Sequence, residues 1–268
     1  MGRYRQADST GKRMNRNHNI RLSVIASILL CGVLPPDAPA EQTPDGEQLM
    51  MQVRMALPYH PLRISGELQS RDRRGNIVRV NPVEMQLEWG AEPPTALYMV
   101  RDRFGTETER LRISWRPGQP AEYTHARGDP PEPEPLDDLN QSIDGLNLNW
   151  ADLSLSFLWW PEARVIGSER VRGRFCHIVD LTAPEGEATQ YAGVRLWIDP
   201  ETSLLMQADA YDERNRPIRR LQVKSLRKID ELWMVQNLDI LDHRTRERVT
   251  LRVRDLEIMD ESIDPDEN

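Results

Sequence analysis

From Gly193 to Ile258 the chain is one series of amphipathic β-strands joined by short polar turns. Leu232, Met234, Gln236, Leu238 and Ile240 share one strand face, while Trp233, Val235, Asn237, Asp239 and Leu241 share the other. Val249, Leu251 and Val253 point inward, and Thr250, Arg252 and Arg254 point to water. The turns, Asp212-Glu213-Arg214-Asn215-Arg216 and Asp242-His243-Arg244-Thr245-Arg246, are rich in residues that leave a ladder easily. Such a run must bury one face of a large antiparallel sheet. It holds no nucleophile-plus-base cluster, no metal-ligand spacing and no glycine-rich phosphate loop. The expectation is a binder rather than an enzyme.

The preceding chain continues the pattern. A helix is expected over Pro44 to Leu57, capped by Thr43, with Pro44 in its first position and Leu49, Met50, Val53 and Leu57 as its apolar stripe. Strands fit Leu62 to Ser70, the stretch from Ile77 through Val83–Trp89, Ala96 to Arg101 and Thr108 to Arg116. Residues 117–135 end in Pro130-Pro131-Glu132-Pro133-Glu134-Pro135, which excludes a central strand and reads as an exposed extended loop. Asn149 can cap a helix that Pro161 stops. Along it Leu153, Phe157 and Trp160 fall on one face, a candidate mobile apolar cover. Strands resume at Arg164.

The N-terminus reads as a targeting signal. Arg3, Arg5, Lys12, Arg13, Arg16 and Arg21 precede the apolar run from Leu22 to Leu34, which is too short for a stable bilayer span. Pro35 and Pro36 follow, then Ala38-Pro39-Ala40, a small-x-small cleavage signal. Started at Met14, the proportions are those of an ordinary secretory signal. The alternatives are an uncleaved anchor or a lipidated Cys31, the latter disfavoured by the bulky Leu30 before it. Cleavage leaves residues 41–258 as a single domain and the acidic stretch 259–268 as a disordered tail. The destination is the periplasm.

The whole chain carries 35 basic and 43 acidic residues, a net charge of −8, and the signal removes basic ones. This argues against nucleic acid or an anionic membrane surface as the main partner. Cys176 is then the only cysteine, so no disulfide forms within the mature chain, and its alternating strand context reads as a small buried apolar side chain. His60, His125, His177 and His243 are scattered, without metal-binding or metalloprotease spacing. Asp199 and Asp209 lie on strands close to turns. Neither a cofactor nor a metal is expected.

Asn149-Trp150-Ala151-Asp152-Leu153 leading to Phe157-Leu158, then Val194-Arg195-Leu196-Trp197-Ile198-Asp199, resemble outer-membrane lipoprotein-sorting proteins. Leu204 through Ala210-Tyr211-Asp212, Lys228-Ile229-Asp230, Trp233-Met234-Val235 and Thr250-Leu251 extend the resemblance. It covers about Ile143 to Ile258, and it departs where Glu231 replaces the glycine usual after the aspartate. The family is similar in fold to the LolA and LolB carriers and to the RseB sensor domain. The resemblance implies an α+β fold, a strongly curved antiparallel sheet (an incomplete β-barrel) covered by helices over an apolar hollow. The lid arginine of the LolA carriers has no counterpart recognisable in this sequence.

That fold suits a periplasmic protein that holds acyl chains of a lipoprotein or lipid and passes them toward the outer membrane. Each buried methylene is worth roughly 0.8 kcal/mol, so about ten would give near-micromolar affinity. The expected lining is Trp89, Trp115, Leu153, Phe157, Trp160 and Met206. The alternative is an envelope sensor or interaction module that engages a protein, with Arg219, Arg220, Arg252 and Arg254 as exposed contacts.

Overall fold

The fold is built almost wholly from consecutive hairpins. The computed structural model describes residues 44–116, 121–128, 131–136, 138–229 and 232–259. The expected export signal over 1–40, Thr43, Asp230, Glu231 and residues 260–268 of the expected tail lie outside them. The described residues belong to one compact unit.

Helix α1 (Gly46–Met55) leads into β1 (Leu62–Arg71), β2 (Ile77–Glu88), β3 (Thr95–Arg101) and β4 (Glu107–Ser114). Next come β5 (Glu122–Gly128), β6 (Pro131–Pro135), α2 (Trp150–Ser154) and a 3-10 turn, Ser156–Trp159. The second run is β7 (Arg164–Val171), β8 (Arg174–Thr182), β9 (Gly193–Asp199), β10 (Leu204–Tyr211), β11 (Pro217–Ile229), β12 (Leu232–Asp242) and β13 (Arg248–Ile258). Each run is a meander, and β1 pairs with β13 to fuse them into a single 13-stranded antiparallel sheet. The order β6-β5-β4-β3-β2-β1-β13-β12-β11-β10-β9-β8-β7 leaves β6 and β7 as edges, so the curved sheet does not close. Bulges at Ser65/Gly66, Leu205/Gln207 and twice within Val223–Leu226 bend it.

The sheet is less covered by helices than expected. The described residues contain two α-helices, of ten and five residues, and one 3-10 turn. Most of the roofing over the concave face is irregular chain, with Leu139, Ile143, Leu146 and Leu148 buried from the connection after β6. Asp45, not Thr43, caps α1, its carboxylate accepting the Glu47 N–H at 2.9 Å. Met259, expected to begin the tail, donates its N–H to Pro61 O at 2.8 Å.

The proline-rich segment is also more ordered than the loop expected over 117–135. It contains β5 and the edge strand β6, in which Pro131, Pro133 and Pro135 alternate with Glu132 and Glu134. Only the glutamates own N–H groups, so all donation toward β5 comes from them and the outer edge is left without donors. A proline strand survives because nothing pairs beyond it, and it blunts that edge against further pairing. At the other edge, α1 packs beside the start of β7. Glu47 accepts the Ala163 N–H at 2.7 Å, and a Cβ on Gly46 would lie 2.3 Å from Ala163 O.

Candidate functional site

Under the bent sheet lies a cavity of about 240 Å³. Its wall draws on α1 (Val53) and the turn after it (Leu57), on β1 to β3 (Ile64, Met85, Tyr98), on the α2 segment (Leu153, Leu155, Trp159) and on β10 to β13. Among the described residues no aspartate, glutamate, lysine, arginine or histidine lines it. Three packed indoles flank one end, half-buried Trp89 and Trp159 on the wall and Trp115 behind them. Trp115 and Trp159 lie 4.3 Å apart by ring centroid, and Trp89 lies 5.1 and 5.2 Å from them.

The other end opens because two ladders stop short. Pairing of β12 with β13 ends at Asn237–Arg252, and pairing of β10 with β11 ends at Gln207–Gln222. Beyond these points β11 and β12 pair only with each other among the described residues, forming a two-stranded arm. The two bulges around Ser225 bend the arm at its root. Both faces of β12 thereby reach the wall, Met234 and Leu238 from one and Trp233 and Val235 from the other. The arm also packs on a small second core of Val171, Cys176, Trp197, Met206 and Val223. Trp233 lines the cavity yet is 38% exposed, which marks the opening, and the Arg174 guanidinium sits 5.8 Å from its ring.

The segment roofing the cavity is held by polar contacts at both ends. Asn149 and Asp152 form a reciprocal capping box at the start of α2. The Tyr191 hydroxyl donates to Asp152 at 2.5 Å, and Arg219 Nε lies 3.2 Å from the same carboxylate. Arg219 Nη1 also meets Asp242 at 3.0 Å and Asn147 Oδ1 at 3.0 Å. Burial pushes the Asp152 carboxyl up, against the opposing charge of Arg219 and the hydrogen bond from Tyr191. At the far end Arg54, on α1, donates to Leu158 O at 2.9 Å.

The six expected lining residues divide. Trp89, Leu153 and Met206 stand on the cavity wall. Trp115 is buried behind it in the indole stack. Phe157 and Trp160 do not line the cavity; they are 0% and 3% exposed within the main core. The physical reason is Leu155, whose left-handed backbone (φ 53°) ends α2 and starts the 3-10 turn. A helix continued to Trp160 would align Leu153, Phe157 and Trp160, but the break rotates Leu155, Leu158 and Trp159 onto the wall instead. A further correction concerns Arg219, expected to be exposed, which is 7% exposed inside the lock on α2. The residues missed are Trp159 and the arm. The Trp159-Trp160 doublet signals that one indole faces the hollow, while the register break deciding which one is silent in the periodicity.

The reactive side chains are engaged elsewhere. Cys176 is buried, and burial pushes its thiol up to about 11. His177 Nδ1 lies 3.2 Å from Ser168 Oγ on the exposed side of the β7–β8 hairpin, away from the cavity wall. Asp199 and Asp209 are tied to Arg174 at 2.5 Å and Arg220 at 2.6 Å. His125 is buried between Glu109 (3.3 Å) and Glu134 (3.4 Å), with its ring edge-on to Trp150 at 5.7 Å, and it does not line the cavity.

Comparison with solved structures agrees with this architecture. A putative outer membrane lipoprotein-sorting protein domain from Vibrio parahaemolyticus superposes with a TM-score of 0.69 at 13% identity, covering 83% of this chain and 97% of that one. A DUF1329 family protein from Desulfovibrio piger gives 0.68 at 18% identity, covering 80% and 91%. A LolA superfamily protein from Nitrosomonas europaea gives 0.61 at 11%, covering 82% and 96%. The protein therefore has the LolA-like fold, an unclosed curved sheet over an apolar hollow. A family profile described as "Uncharacterized protein" matches residues 134–266. No curated protein matches the sequence significantly.

Proposed function

We propose that this is an exported periplasmic binding protein that holds acyl chains of a lipoprotein or lipid in its hollow and passes them toward the outer membrane. It binds without catalysing. The observation that carries the reading is the cavity wall, which is apolar, free of charged side chains among the described residues and open beside Trp233. Water gains little from such a surface, and an acyl chain gains burial along its length. The resemblance in fold to lipoprotein-sorting proteins supports the same reading.

Native mass spectrometry of the protein purified from periplasm, before and after detergent extraction, tests it. Acylated peptide or phospholipid released by detergent is the expected result. An empty protein that co-purifies with a protein partner, and that takes up no lipid after purification, would replace the carrier with the sensor.

A further inference from the structure

We infer that the hollow takes one acyl chain at a time, tail first and to a depth of about ten carbons, with the polar head left outside beside Trp233. The inference rests on the lipid-binding reading and specifies its ligand as a single-chain amphiphile, such as a lysophospholipid or a monoacylglycerol.

Volume sets the chain number. A dry engineered cavity of about 150 Å³ accepts benzene, with its six carbons. By proportion the 240 Å³ here holds roughly ten carbons, whereas an anchor with three long chains needs several times that space. The walls do not yield this space readily. One side is stiffened by the packed indoles of Trp89, Trp115 and Trp159, and the roof is pinned by Arg219 on Asp152 and by Arg54 on Leu158 O.

Charge sets the direction. A phosphate or carboxylate drawn inside would lose its water and find no cation among the described residues of the wall. At the opening it would remain hydrated. There Trp233 offers an amphipathic ring suited to the junction between chain and head, with Arg174 on its flank.

The test is a chain-length series. The full exported protein, stripped of lipid by detergent and dialysed, is titrated with 1-monoacylglycerols of increasing length below their micelle concentrations, read by intrinsic tryptophan fluorescence. Affinity should rise about fourfold per added methylene and level off near about ten carbons. Lysophosphatidylcholines should show the same break, and a triacylated lipopeptide should bind no better than one chain. Trp159→Ala, which enlarges the hollow beside the indoles, should move the break to longer chains; Phe157→Ala should not, although it weakens the fold. A rise that continues unbroken to the longest chains, or markedly tighter binding of the triacylated lipopeptide, overturns the single-chain inference and leaves lipid binding standing. No binding by any chain sinks both.

Discussion

The two ends of the segment that follows Asn149 are built on opposite principles. At its start, Asp152, Tyr191, Arg219 and Asp242 are buried together, and their hydrogen bonds and ion pairs fix α2 at one place on the sheet. Past Leu155 the same segment faces a hollow that no charged side chain among the described residues lines, beside a hairpin arm whose ladders to β10 and β13 have ended. A buried ion network specifies position at a cost in desolvation. An apolar hollow forgoes packing energy in the free protein. Together they describe a roof that keeps its place while the space beneath it stays available.

The largest expected effect is on the polar end. Arg219→Met leaves the buried Asp152 and Asp242 carboxylates without their cation and should cost about 3–5 kcal/mol. Urea denaturation measures it, and adding Asp152→Asn should recover much of the loss. A loss no greater than that of a surface arginine would show that the network is not what fixes α2. Next, Phe157→Ala should cost about 3–5 kcal/mol because it empties a fully buried core site. It should leave ligand affinity within severalfold of the wild type, since Phe157 is not on the wall. The reverse pattern is expected for Met234→Asp on the half-buried arm. Its stability should fall less than that of Phe157→Ala, because Met234 is only partly buried, while acyl-chain affinity falls at least about tenfold, because a carboxylate then faces the chain. Equal effects of the two variants on binding would erase the distinction between core and wall.

How much of this was legible in the sequence depends on which interactions set each element. The meanders were readable because strand alternation is local, and Leu62, Val83 and Leu251 announce their faces within a few neighbours. The Asn149 cap was readable for the same reason. Trp159 was not, because the left-handed turn at Leu155 is stabilised by what the segment packs against and has no glycine or asparagine to advertise it. The arm escaped too. Its strands alternate normally in sequence, and only the lengths of the neighbouring ladders reveal where they lose their partners. Arg219 looked like a solvated strand residue, since a buried cation is visible only once Asp152 and Asp242 are brought to it from distant parts of the chain.

A second polar cluster offers a milder comparison with the lock on α2. Glu109 is buried against His125, and it also accepts the Asp144 N–H at 2.7 Å and lies 3.2 Å from Arg127. Burial alone would raise its carboxyl. The hydrogen bonds from His125 and Asp144 and the charge of Arg127 outweigh this and hold it below the ordinary range. A carboxyl lowered on folding contributes stability that is present above its unfolded pKa, about 4.3, and is lost as pH falls through the lower folded value. Glu109→Gln should therefore be less stable than the wild type at neutral pH, by about 1 kcal/mol. The gap should narrow as pH drops below about 4. Asp152 has the opposite sign, since its raised carboxyl weakens the fold as pH rises rather than as it falls. Thermal melts across the acid range, run on both proteins, would show the curves converging. Parallel curves would mean that Glu109 acts by shape and hydrogen bonding alone, and that its ionisation adds nothing to stability.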